Sequence, residues 1–323
     1  MKNLRQVPYR ISRSEGIALL MVLWVLAILM VIALSFSFVA RTETHSTLSF
    51  KEGVEEKLIA EAGIERGIME AFYWNMFKNQ MITTEGREVW KVDGTPYTGH
   101  LGDGYYTVRI MDEAGKLDIN TLTDASGIIL KNLLMNSGVK EDVADTVVDS
   151  ILDWKDADDL RRLHGAESDY YMSLPNPYRA KNASFDTLEE LLLVKGVTPE
   201  ILYGSAEKKG IIDFITVTSG WNMINVNAAP KEVLMAVPGM TPEIVDRVIS
   251  YRTDRRITNP QQEVGIPAEA MKFINIAESN KFTIDAVGYK GKGKRGYAIR
   301  AVVALIGSNY QYVYYKSPST ITQ

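Results

Sequence analysis

From Ile17 to Leu34 all eighteen residues are apolar. A run of that length either crosses a bilayer as a helix or is buried all round in a large core. Ahead of it stand Lys2, Arg5, Arg10 and Arg13, and behind it "SFSFVARTETHS". The positive-inside rule puts Met1 to Ser14 in the cytoplasm and everything after Ala40 outside. An ordinary secretory signal has a shorter apolar region with a small-residue cleavage site on its far side, and no compact A-x-A site follows here. The natural break lies on the near side, at "SEG" before "IALL". Cleavage after Gly16 leaves Ile17 as the new N-terminus and keeps the apolar helix.

This arrangement resembles the leaders cut by prepilin peptidase, whose mature chains begin with a hydrophobic, N-methylated helix. The fifth mature residue of such chains is usually Glu, whereas counting from Ile17 puts Met21 there. A carboxylate in hydrocarbon is costly and is kept only where a partner offsets it. In pilins that partner is the free amine of the subunit ahead, and a tip subunit has none ahead. The pilin-like position that lacks this Glu is the K-type minor pseudopilin of type II secretion. A plain membrane anchor would carry a Met there equally well.

With 323 residues, 46% of them hydrophobic, the chain can form one large or two ordinary domains. Its formal charge is -4, and taking four basic groups and Glu15 from the 36 and 40 leaves 32 basic and 39 acidic residues beyond Gly16. That balance argues against nucleic acid as a partner. The absence of cysteine excludes disulfides, thiolate metal sites and Cys nucleophiles.

Past the apolar run, Leu48, Leu58, Ala62, Ile64, Ile68 and Phe72 keep a largely helical spacing. Unbroken helix from Ile17 to about Gln80 would measure about 95 Å. Gly53, Gly63 and Gly67 speak for two separate helices, because each costs helix stability. A turn is expected at "TTEGRE". Then "GDGYYTVRIMDEAGKLDIN" alternates as a strand with a turn at Glu113 to Gly115, and "KFTIDAVGY", "GYAIRAVVALIG" and "NYQYVYYK" read as three more strands. The fold class is α+β: a long N-terminal transmembrane helix packed on an antiparallel sheet, with a large all-α insertion. The expected boundaries are leader 1–16, membrane part 17–40, helix and first strands 41–120, helical insertion 121–277 and last strands 278–323.

The insertion contains a repeat. "EELLLVKGVTPEIL" from Glu189 and "EVLMAVPGMTPEIV" from Glu232 match at eight of fourteen positions, and "LLMNSGVKEDVADTVVDSI" is a weaker third copy. Each reads as helix, Gly-centred hairpin, helix. Helix-hairpin-helix units of DNA binders hold phosphate on hairpin amides. Here Thr198 or Thr241 stands at the second Gly, followed by Pro and then Glu200 or Glu243, which would repel phosphate, so packing is the better reading. "GKGKRG" fits G-x-G-x-x-G but lies between two strands, where a dinucleotide fingerprint must open a helix; it reads as a hairpin tip.

"ILDWKDADDLRRLHGAESDYY" clusters hard oxygen ligands of the kind calcium requires, Asp153, Asp156, Asp158, Asp159, Glu167 and Asp169. It is no EF-hand, because Leu160 and Arg161 fall where that loop needs a ligand and a Gly. A solvated acidic helix end, paired locally with Arg161 and Arg162, is the alternative. Enzyme chemistry finds little footing: His45, His100 and His164 fall in unrelated contexts, with no nucleophile motif beside any of them.

Taken in order, the leader and helix, "AEAGIERGI", "DEAGKLDIN", "ILDWKDAD" with "GAESDYY", "FDTLEELLLVKGVTPE" and "INVNAAPKEVLMAVPGM" resemble the K-type general secretion pathway pseudopilins over nearly the whole chain. The resemblance implies a pilin-like fold with a helical insertion. It implies single-pass inner-membrane anchoring with the remainder in the periplasm, and a non-catalytic place at the pseudopilus tip. The implied partners are the I- and J-type minor pseudopilins, the major pseudopilin, prepilin peptidase, inner-membrane lipid and exported proteins. It also implies calcium, with Asp156, Asp158 and Glu167 matching the family's acidic loop and Asp153 and Asp169 close by. Two other readings share parts of this pattern: an X-type minor pilin of type IV pili, and a membrane-tethered DNA receptor.

Overall fold

The computed structural model describes residues 14–77, 90–205, 208–291 and 296–319, with side chains from Ile17 onward. Most of the expected leader, the "TTEGRE" turn, the helix end near Gln80 and the centre of "GKGKRG" lie outside the described residues. The elements in chain order are α1 (Ser14–Phe77), β1 (Asp93–Leu101), β2 (Gly104–Asp112), β3 (Leu117–Asp118), α2 (Gly127–Asn136), α3 (Glu141–Lys155), α4 (Ser168–Met172) and α5 (Pro199–Tyr203). They continue with β4 (Ile215–Thr216), β5 (Ile224–Asn225), α6 (Lys231–Ala236), α7 (Pro242–Asp254), α8 (Pro260–Val264), β6 (Ile274–Asn275), β7 (Lys281–Tyr289), β8 (Tyr297–Ile306) and β9 (Asn309–Lys316).

Two units divide between Glu55 and Glu56. In the first, every residue from Ile17 to Phe50 is exposed. Eighteen consecutive apolar side chains on such a helix call for hydrocarbon around them, and among the described residues α1 is the one helix long and apolar enough to cross a membrane. Beyond the run, the hydroxyls of Thr42 and Thr44 donate to the carbonyls of Phe38 and Ala40 at 2.9 and 2.8 Å, which keeps these polar residues compatible with helix.

The second unit holds a five-stranded antiparallel sheet in the order β1-β2-β7-β8-β9. One face alternates inward as Val108 and Ile110, Ile284 and Ala286, and Ile299, Ala301 and Val303. Against it lie Ala60, Ile64, Ile68 and Ala71 of α1, a stripe at helical spacing. Gly63 and Gly67 do not break the helix; they lie where it comes close against the sheet. A Cβ on Gly63 would lie 3.0 Å from Ala286 Cβ, and one on Gly67 would lie 2.6 Å from Ile284 Cγ2. Strand β1 escapes a sequence reading because "DGTPYTGHL" carries Gly94, Pro96 and Gly99. It is an edge strand with an irregularity between Asp93 and Pro96, where a missing N–H is tolerated.

β2 ends at Asp112 and its sheet neighbour β7 begins at Lys281. The residues between form a second core, built on Ile129, Leu130, Leu133, Val147, Ile151, Leu191, Leu234 and Val248. The chain's exit and return are clasped together: Asp112 Oδ1 accepts from Ser279 Oγ at 2.5 Å and from the Ala114 amide at 2.9 Å. Burial pushes the Asp112 carboxyl up to about 6, although these hydrogen bonds oppose the shift. The expected turn at Glu113–Gly115 is a 3-10 helix, after which the chain leaves the sheet.

Each of the three similar segments has a glycine of positive φ: Gly138 (84°) between α2 and α3, Gly196 (87°) before α5, and Gly239 (81°) between α6 and α7. The copy around Gly196 opens with a 3-10 helix, Leu188–Leu193, rather than an α-helix. The middle section, expected to be all-α, is not purely helical, because β3 pairs with β4 and β5 with β6, both in parallel. Leu117, Ile215, Ile224 and Ile274 carry the chain through the core interior, and backbone groups buried there need partners.

Candidate metal centre

Helix α3 ends in a conflict. Its last turn and C-cap carry Asp153 and Asp156, where the helix dipole favours cations. Asp153 is also completely buried beside Trp154, whose ring meets Tyr171 edge-on at 5.1 Å. The loop that follows brings Glu167 back to this end. Asp153, Asp156 and Glu167 each offer a carboxylate oxygen within 4.8 Å of the others. Only glycine lets the loop come this close, because a Cβ on Gly165 would lie 1.9 Å from Asp153 Oδ2.

Of the five carboxylates expected to act together, these three converge. The Asp158 carboxylate turns to its own loop and accepts from the Leu160 amide at 2.8 Å; Asp169 accepts from the Tyr170 amide at 2.7 Å. The reading of a solvated acidic helix end is wrong for Asp153 and Glu167, which are 0% and 2% exposed. Both Glu167 oxygens, Asp156 Oδ1 and Asn182 Oδ1 are buried without a hydrogen-bond partner. Asn182, whose Nδ2 lies 3.4 Å from the Asp158 carbonyl, went unnoticed in the sequence because its signal is a φ of 47° rather than a charge.

The electrostatics follow from this geometry. Burial, and then the charges of Asp153, Asp156, Asp159 and Asp158, push the Glu167 carboxyl up to about 7. Asp153 is raised as well, chiefly by burial, against the opposing hydrogen bonds of Arg162. Arg162 Nη1 donates to Asp153 Oδ1 at 2.8 Å and to Asp156 Oδ2 at 2.6 Å, and Nε donates to Asp124 Oδ1 at 2.9 Å. A set of buried oxygens with unused lone pairs, short of positive charge and free of sulfur and nitrogen donors, has the chemistry of a hard divalent cation site.

The other expected features fall elsewhere. Gly16 lies in α1, and Ile17 and Met21 are 63% and 64% exposed on the same helix. At the hairpins, the Thr198 and Thr241 hydroxyls accept from the amides of Ile201 and Ile244. Glu200 is held below the usual carboxylate range by its own amide and by Thr198, and Glu243 by Thr241 and its own amide. These helix starts are therefore filled by the chain's own oxygens.

A family model described as type II secretion system protein K matches residues 115–204, a stretch that contains the whole carboxylate loop. Type II secretion system protein K of Pectobacterium carotovorum is 32% identical over 203 residues, 59% of this chain and 60% of that protein. The protein of the same name from Pseudomonas aeruginosa is 31% identical over 170 residues, 49% of each chain. The matched region thus spans about half to three fifths of these relatives' length. A putative type II secretion system protein K of Escherichia coli K12 is 23% identical over 227 residues, 68% of this chain and 69% of that one. The fold is similar to a chain in the crystal structure of the GspK-GspI-GspJ complex of enterotoxigenic E. coli, with a TM-score of 0.58 and 12% identity over 86% of this chain and all of that one. Over residues 115–204, and in fold, the chain is thus similar to type II secretion system protein K.

Proposed function

We propose that the protein is a minor pseudopilin that caps the tip of the type II secretion pseudopilus and works by binding rather than catalysis. In this reading prepilin peptidase cuts after Gly16, and Ile17 becomes the methylated N-terminus. Helix α1 anchors the chain once through the inner membrane, with residues after Ala40 in the periplasm. It is later drawn into a bundle with the I- and J-type minor pseudopilins, and the major pseudopilin follows below. Met21 suits a subunit that recruits nothing ahead of itself. The inserted domain, with its hairpins used for packing as helix-hairpin-helix-like units, closes the filament end and faces exported proteins.

The observation that carries this reading is the eighteen-residue apolar run of α1 in a chain that is similar to type II secretion system protein K. In the solved relative the chain sits in a complex with GspI and GspJ, which supports the choice of partners. Co-expression of the tagged full-length chain with I- and J-type minor pseudopilins, followed by purification from detergent-solubilised membranes, tests it. Recovery of a stoichiometric ternary complex is expected; a chain that purifies alone would contradict the assignment.

In the same reading Asp153, Asp156 and Glu167 hold Ca2+, with Asn182 at the edge of the loop and Asp158 and Asp169 shaping its walls. The unpartnered buried oxygens support the fit. The ion supplies positive charge that ties the end of α3 to the loop before α4. The DNA-receptor reading is disfavoured by the filled helix starts and by the acidic balance.

A further inference from the structure

The cation site contains a competitor from its own chain. Arg162 Nη1 bridges Asp153 and Asp156, two of the three converging carboxylates, while Glu167, 2% exposed, keeps both oxygens unpartnered. The Arg162 amide also faces both Asp153 oxygens at 3.3 and 3.2 Å, so the residue is tied to the site by main chain and side chain together. A calcium ion on Asp153 would sit about 2.3–2.6 Å from its oxygen. With Nη1 at 2.8 Å from the same carboxylate, the two cations would lie within about 5 Å of each other, where like charges repel strongly in a partly buried setting. The guanidinium has somewhere to go, since its Nε already bonds Asp124, whose side chain is 78% exposed on the outer side.

Resting on the calcium reading above, we propose that Arg162 and the divalent cation are alternative occupants of the Asp153–Asp156 pair, so that Arg162 sets the cation concentration at which the site fills. A monovalent ion brings no more charge than the guanidinium it would displace and gains nothing by the exchange. A divalent ion brings twice as much and also satisfies Glu167, so the exchange selects for divalent cations. Exchange moves the loop as well as the side chain. Leu160 and Leu163, on either side of Arg162 in sequence, are 77% and 87% exposed, the two most exposed large apolar side chains among the described residues. Cation binding therefore changes how this apolar pair is presented.

The test is calorimetric titration of CaCl2 into the chelator-stripped full-length chain in detergent, comparing the parent with Arg162→Gln and Arg162→Lys, together with thermal melts in chelator. Arg162→Gln is expected to bind calcium at least tenfold more tightly while melting lower in chelator, and Arg162→Lys, which keeps the charge, to stay within about threefold of the parent. Calcium binding by the parent with Arg162→Gln no tighter, or with Arg162→Lys tightened equally, overturns the exchange and leaves the calcium reading standing. If neither parent nor Arg162→Gln takes up calcium, the calcium reading fails and the exchange falls with it.

Discussion

Glu167→Gln separates what the buried carboxylate costs the fold from what it gives to a cation. Glu167 has a usual value of 4.5 and is pushed up to about 7 by burial and by four neighbouring aspartates. At 1.36 kcal/mol per unit, holding it ionised at pH 8 costs at most about 3.4 kcal/mol. The loop's outer side is open to water, so about 2 kcal/mol is the realistic figure. The sign follows from the direction of the shift. Below about pH 4.5 the group is protonated in folded and unfolded chains alike and contributes nothing; stability then falls as pH rises toward 7, and the loss is constant above that. In chelator at pH 8, Glu167→Gln should raise the melting temperature by about 5 °C, from about 2–4 °C per kcal/mol for a domain of this size, and at pH 4 it should change nothing. In saturating calcium the order reverses, because the variant has lost a charged ligand. Thermal melts of the full-length chain in detergent, at both pH values with and without calcium, decide the matter. A variant that melts below the parent in chelator at pH 8 would refute the reasoning.

The glycines of α1 should diverge despite equal helix propensity. Gly53→Ala meets nothing within 4 Å and should stabilise by up to about 1 kcal/mol; Gly67→Ala drives a methyl onto the buried, β-branched Ile284 and should lose about 1 kcal/mol net in urea titrations. Equal effects at the two positions would contradict the close helix-sheet approach. Ser279→Ala removes the hydroxyl donor to Asp112 at the insertion clasp, and should cost about 1–3 kcal/mol at pH 8. Because the folded carboxyl is raised to about 6, Asp112 is protonated at pH 4 and the loss should be smaller there; a loss independent of pH would show that the clasp is not ionic.

What could be seen in the sequence, and what could not, divides along the range of the interactions. The apolar run of α1 and the strand patterns of β2, β7 and β8 are local, set by what these elements must bury, and they lie in the structure where the sequence puts them, as does the largely exposed β9. β1 was invisible because its glycines and proline suit an edge, whose pairing depends on β2 rather than on its own residues. The parallel pairs inside the inserted section were invisible for the same reason: two residues have no period. At the candidate site, charge density pointed to the loop after α3, but which acids converge depends on Gly165 and on the way the loop folds back onto α3. Asp158 and Asp169 have the right chemistry and local amide partners instead. The sequence offers Arg162 as a local partner of acids at an exposed helix end, and only the fold shows which two carboxylates it bridges.

The most direct test of the central claim, that α1 is a processed pilin-type anchor, is the intact mass of the protein purified from membranes of cells with and without prepilin peptidase. The account predicts a chain beginning at Ile17, with the mass of an added methyl group, only when the enzyme is present. A chain that keeps Met1 to Gly16 in both strains would make α1 a plain membrane anchor and remove the basis for a place in the filament.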